Sequence, residues 1–344
     1  MSKGEKVIKK NRIESLDFLR LLSIYFVVCI HYVGWGGIAS TENTNFINYA
    51  FSGGIAVACN CAVNCFYMIS GYFIVGNESI GITKKRILKV WVPTFIYSVT
   101  IPLLLFCMGG IELTVKQIIM LFLPIMGNQY WFSTCFIAVT LLLPFFAPAL
   151  SKMDDKCILK LVGVLIFLDS VQPILGYNAF SNIGYGLLHA VTMYVIGYYL
   201  KRKAVRVKTS YCIICFAFCI ILIGMITILS IRFLGDRNRT IADYNSILMI
   251  IQSVALFCLF KNINIKRLNF SKFAPYVFGV YLLNDNQYAR EFLWQEIFHC
   301  SDFYSSKWMP IHFFIVTILF VVCALGIEWI RINCWKHLKI IIRK

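Results

Sequence analysis

Long apolar runs alternate along this chain with short segments that hold most of its charge. Ten runs read as membrane-spanning helices: roughly 16–35, 50–75, 90–109, 131–150, 158–175, 187–200, 210–233, 244–260, 274–289 and 310–331. A helix needs about 20 apolar residues to cross the hydrocarbon core, and most of these runs approach that length. The sixth and ninth are short or polar. The stretch 111–126 is apolar but brief and contains Pro124, so it reads as a re-entrant or interfacial piece. The pattern predicts an all-α integral membrane protein: one bundle of about ten transmembrane helices, with no soluble domain.

Loop charge tests the count. With the N-terminus placed in the cytoplasm, the inner segments hold 26 of the 33 Lys and Arg, the outer segments six, and Arg20 lies within the first run. Basic residues favour the cytoplasmic side, so this split predicts an even number of spans with both termini cytoplasmic. One miscounted span would invert every later loop and spoil it. A single domain over 1–344 is expected, with basic cytoplasmic tails at 1–11 and 332–344. No small-residue cleavage site follows the first run, which reads as a retained span.

Composition agrees. The chain is 59% hydrophobic and 14% charged, against roughly 45–50% and 25% in soluble proteins. The net charge of +17 sits in short loops, which a lipid bilayer explains better than a nucleic acid partner. Most of the 14 Cys lie within apolar runs, and only Cys300 reads as placed on the outer side, so no disulfide framework is expected. Cys59, Cys61 and Cys65 read as small buried hydrophobes rather than metal ligands, and no metal is expected.

Charge inside a span is costly and needs a local reason. The first run, RIESLDFLRLLSIYFVVCIHYVGW, carries Asp17, Arg20 and His31. Arg20 and His31 are eleven positions apart, or three turns plus about 20°, so they share a helix face. Asp17 lies roughly 40° off the same line. The result is one polar stripe, with His31 about 16 Å along the axis from Arg20. The competing reading has Asp17 and Arg20 snorkelling to headgroups and His31 as a satisfied interior histidine. Further polar residues fall near membrane depth: Asn60, Asn64, Ser70, Asp169, His189, Asn284 and Asp285. Singly, each fits helix packing or capping; together with His31 they predict a polar interior. The basic cluster Lys84, Lys85, Arg86 and Lys89 opens the third run. It fits either headgroup attraction or a phosphate-bearing anionic ligand.

Several separated patterns resemble the membrane acyltransferase 3 family. Arg12, then Asp17-x-x-Arg20, then His31 resemble its opening. VNCFYMISGYF, with Ser70, Gly71 and Tyr72, is similar to its Phe-rich Ser-Gly-Phe/Tyr segment. KKRILKVWVP, with Arg86, Lys89 and Pro93, looks like its basic run before a Pro. QYWFSTCFIAVTLLLP, with Tyr130, Trp131 and Pro144, looks like its Trp-Phe segment. YGLLHAVTMYVIGYYLK, with His189, Tyr194 and Gly197, looks like its Tyr-x-x-Gly segment. APYVFGVYLLNDNQYAR resembles its Phe-Gly-x-Tyr-Leu segment. The resemblance runs from Arg12 to about Arg331, with the motifs in family order. Two positions depart from it. Asn284 stands where the family often has His, and Asn cannot act as a base. Lys89 replaces a second Arg, which keeps charge but loses the bidentate fork.

The resemblance implies a membrane O-acyltransferase. Its members usually move acetyl from cytoplasmic acetyl-CoA, or another acyl-CoA, to a sugar hydroxyl of a cell-envelope glycan, exopolysaccharide or lipid-linked saccharide. Such chemistry needs a base or an acyl carrier, and His31 suits either task. His31, Arg20 and Asp17 form the candidate catalytic set, with Asp17 orienting Arg20. Arg20, Lys85, Arg86 and Lys89 are candidates for holding the donor phosphates. Tyr130, Trp131, His189, Tyr281 and Asn284 are candidates for the acceptor site. A secondary transporter or flippase with a polar pathway is the alternative, against which stands the lack of an internal repeat.

Overall fold

Inside hydrocarbon every backbone hydrogen bond must be made within the segment, and all regular elements among the described residues are helical. The computed structural model describes residues 13–37, 46–76, 84–175, 180–234, 239–265 and 269–342. The tail 1–11, Arg12 and the last two residues of the 332–344 tail lie outside the described residues. In chain order the helices begin with α1 (Glu14–Gly34), α2 (Phe46–Cys59), α3 (Ala62–Tyr72), α4 (Lys84–Cys107), α5 (Val115–Leu121) and α6 (Trp131–Lys152). Then come α7 (Asp155–Ile166), α8 (Gln172–Ile174), α9 (Leu187–Arg202), α10 (Thr209–Leu234), α11 (Ile247–Asn262), α12 (Val277–Asn284) and α13 (Met309–Ile342).

Seven helical stretches among the described residues are long and apolar enough to cross a membrane. They are α1, α2 with α3, α4, α6, α7 with α8, α10 and α13. The helices at the other three expected spans are each too short to cross by themselves. α9 and α11 have 16 residues each, and α12 has eight. At 1.5 Å per residue they reach about 24 and 12 Å, against roughly 30 Å of hydrocarbon. Protein surrounds them instead of lipid. Most of α9, from His189 through Tyr198, is buried or nearly so, which is why its polar residues are tolerated.

α1 packs against α2, α3, α11, α12 and α13 and is the centre of the bundle. The crossing of α3 with α9 depends on two glycines. A Cβ at Gly71 would collide with the Tyr194 carbonyl, and one at Gly197 with the Met68 carbonyl. The two backbones touch there, as in small-residue contacts between membrane helices. The second span bends between α2 and α3, where Asn60 donates to the Ala242 carbonyl at 2.5 Å. The 111–126 stretch contains α5, started by a Thr114–Gln117 capping box, with Val115 and Ile119 exposed. Ser98 ties its end back by donating to the Leu121 carbonyl at 2.5 Å.

All 14 cysteines are free, and no group of three or more possible metal ligands occurs among the described residues. Cys300 is fully buried, and burial pushes its thiol up to about 12.

Candidate active site

α1 carries its polar stripe into two joined cavities. At its N-terminal end, the Arg20 guanidinium pairs with buried Asp17 one turn away and lies 5.5 Å from the Phe73 ring centre. Both residues line a mouth of about 1090 Å³. α4 contributes Lys84, Lys85 and Lys89, and α13 contributes Arg331, Trp335 and Lys336. Glu328, on the same wall, is 2% exposed. It accepts from Arg331 Nε and Nη2 at 2.6 Å each and from the Tyr97 hydroxyl at 2.8 Å. Gly279 leaves room for it, because a Cβ there would overlap the Glu328 carboxyl. Each acid of the mouth thus has its own arginine, and the four lysines make the mouth positive. Arg86, half-buried on α4, is not among its lining residues.

The mouth shares Arg20, Ser70, Lys89, Ala274 and Phe278 with a second cavity of about 1600 Å³. This cavity follows α1 past Ile24, Val27 and Ile30 to His31. His31 Nδ1 lies 3.4 Å from the Asn284 carbonyl, and Nε2 lies 3.9 Å from Asp285 Oδ1. A carbonyl only accepts, so Nδ1 carries a hydrogen, and in the neutral ring Nε2, with Asp285 beyond hydrogen-bond reach, keeps its lone pair. Asp285 in turn receives Arg290 at 3.5 Å, and the Arg290 guanidinium lies 3.5 Å from the Trp35 ring centre. Gln295 fixes Trp35 by donating to its carbonyl at 2.8 Å. His31, Asp285, Arg290 and Trp35 therefore form one connected group on the cavity wall.

Aromatic rings gather on the same cavity. Trp131 stacks on Tyr244 at 5.8 Å and meets Tyr185 edge-on at 4.6 Å, and all three line the space. Tyr281 lines it too. Tyr130 does not: it is 1% exposed, and its hydroxyl accepts from Asn286 at 2.7 Å. Asn284 is fully buried and offers His31 its backbone carbonyl, while its side chain stands apart from the cavity lining.

His189 is not on either cavity. A π-helical turn at Phe167–Val171 carries Asp169, whose carboxylate meets His189 Nδ1 at 2.6 Å. His189 Nε2 donates to the Asn64 side-chain oxygen at 2.7 Å, because the Asn64 amide nitrogen already donates to the Tyr244 carbonyl at 2.9 Å. Asn245 also donates to the Asp169 carbonyl at 2.6 Å. Both ring nitrogens are engaged, so His189 offers no lone pair to a substrate. Its network anchors the turn from which Tyr244 reaches Trp131.

Of the residues named from the sequence, Asp17, Arg20, Lys85, Lys89, His31, Trp131 and Tyr281 line the two cavities. The sequence reading gave no site role to Arg290, Tyr185, Tyr244, Arg331 or Trp335, and named Asp285 only as part of a polar interior. The polar run Asn284–Asn286 after an apolar stretch was the available signal for Asp285. Arg290 looked like an ordinary loop charge.

A family model described as an acyltransferase domain matches residues 13–329. No curated protein and no solved structure matches the chain.

Proposed function

The chain belongs to the acyltransferase 3 family, and from that premise we propose that it transfers acetyl from acetyl-CoA to a hydroxyl of a cell-envelope sugar. It is a multi-pass membrane acyltransferase. The observation that carries the finer reading is the continuity of the lysine-rich mouth with the cavity at His31. A nucleotide donor has phosphates at one end and a thin arm bearing the thioester at the other. The mouth would hold the phosphates through Arg20, Lys85, Lys89 and Lys336, and the arm would lie along α1 toward His31. His31 Nε2 takes the proton of the acceptor hydroxyl as its oxygen attacks the thioester carbonyl. Asp285 stabilises the charged ring through the transfer. The carbon–sulfur bond then breaks and the proton passes from Nε2 to the CoA thiolate, leaving an acetyl ester and free CoA.

The same reading places the protein in the cell membrane as one domain over 1–344, with ten spans and both termini in the cytoplasm. The 26-to-6 charge split supports it. The short helices α9, α11 and α12 would then complete their crossings with flanking non-helical residues. The direct test is transfer of radiolabelled acetyl from CoA to envelope glycan by purified protein in lipid. Glycan that crosses the bilayer unacylated, with no CoA released, would replace this reading with a transporter.

Two substitutions separate the mouth from the rest of α4. Lys89→Ala removes a lining charge and should weaken acetyl-CoA binding severalfold, and more so at low salt. Arg86→Ala, off the lining, should change it less. Calorimetric titration of the detergent-solubilised protein reads both. An equal or larger loss for Arg86→Ala would move the phosphate site to the far side of α4. Arg20→Lys keeps charge but loses the planar fork, so donor affinity should fall before turnover does.

A further inference from the structure

We infer that the cavity at His31 also opens sideways into the bilayer, between α2 and α10, and that this opening admits the hydrocarbon chain of a lipid-linked saccharide, the acceptor of the transfer. The inference rests on the acyl-transfer reading and names the acceptor class for it. The volume of about 1600 Å³ exceeds the roughly 300–1,000 Å³ of an ordinary small-molecule pocket. Only part of it lies on the path from the mouth to His31. The remainder runs between Ala50, Gly53 and Gly54 on α2 and Gly224, Thr227 and Ile228 on α10.

Ala50, Gly53, Gly54 and Ile228 line the cavity and are exposed. Exposed residues along a cavity wall mark its opening. The glycines here do the reverse of those at the α3–α9 crossing. At Gly71 and Gly197 the neighbouring backbone fills the place of a Cβ, whereas at Gly53, Gly54 and Gly224 nothing among the described residues lies within 4 Å of it. They hold a gap open rather than closing one.

The chemistry of the gap selects its occupant. These six residues bring no charge, and α10 is apolar from Cys212 to Met225, so a free polysaccharide would lose its hydration there without return. A hydrocarbon chain passes from lipid to the gap at little cost. Where the gap meets the site, Trp131 offers a ring face to a sugar. Tyr281 lines the same space beside Asp285. A hydroxyl-rich head on one long chain satisfies both ends. The donor, entering from the basic mouth, leaves this route free.

The test uses the full chain in lipid nanodiscs with radiolabelled acetyl-CoA and two acceptor preparations from the host cells: the organic-extractable lipid fraction and the delipidated glycan. The wild type should label the lipid fraction. Gly53→Leu combined with Gly224→Leu should cut that labelling at least tenfold while acetyl-CoA binding at the mouth, measured in parallel, stays unchanged. Gly163→Leu on α7, where nothing among the described residues lies within 4 Å and which lines neither cavity, should keep the wild-type rate. A graded series of Ala, Val and Leu at Gly53 keeps the result independent of how any one variant folds. Label only in delipidated glycan, or plugged variants that label lipid at the wild-type rate, would overturn the inference. If neither fraction is labelled by the wild type, the acetyl-transfer reading itself fails, and this inference with it.

Discussion

His31→Gln is expected to lower acetyl transfer by about 10² to 10⁴ while leaving the protein folded. The rate should fall because Gln keeps size and hydrogen bonding but cannot take the proton from the acceptor hydroxyl. The fold should survive for two reasons. The bond from His31 Nδ1 to the Asn284 carbonyl is long, at 3.4 Å, so little stability rests on it. Asp285 keeps Arg290 at 3.5 Å, so no buried charge is orphaned. The measurement is labelled acetyl transfer in membranes, with a thermal melt of the purified variant beside it. Near wild-type turnover would mean that His31 is a structural histidine and that proton transfer belongs to another group. Asp285→Asn should lie between the two, because the charged ring loses its carboxylate but the base remains.

His189→Ala should do the opposite: destabilise by about 3–5 kcal/mol, enough to deplete folded protein, through no loss of chemistry of its own. His189 and Asp169 are each 1% exposed and face one another at 2.6 Å. Removing the ring leaves the Asp169 carboxylate without its main partner and strands the Asn64 oxygen. Replacing both members, His189→Leu with Asp169→Leu, removes the charge and the hole together and should recover much of the loss. Thermal unfolding in detergent reads both variants. A His189→Ala protein that melts like wild type yet fails in transfer would give His189 a chemical role. The contrast between the two histidines is one of surroundings. His31 faces a cavity with one nitrogen uncommitted; His189 has acceptors on both sides and no cavity.

Much of this was legible in the linear chain because helices convert spacing into direction. A separation of eleven positions puts Arg20 and His31 on one face whatever surrounds the helix, and the bilayer makes every apolar run helical. Hydropathy alone separated membrane from soluble, and motif order carried the family. Which histidine keeps a free lone pair was not legible. His31 and His189 are both lone histidines on apolar helices, and only the chains brought opposite them differ. Asp285 and Arg290 reach His31 from more than 250 residues away, through the fold of α12 and the segment that follows it. Tyr130 and Trp131 are neighbours in sequence, yet one is sealed against Asn286 and the other lines the cavity, because helix α6 begins between them and turns their side chains apart. The glycines make the same point. Sequence marks Gly71 and Gly53 alike as positions without a side chain. Tertiary packing sets a neighbouring backbone against the first and leaves open space beside the second, since a missing Cβ permits close approach but cannot say whether anything approaches.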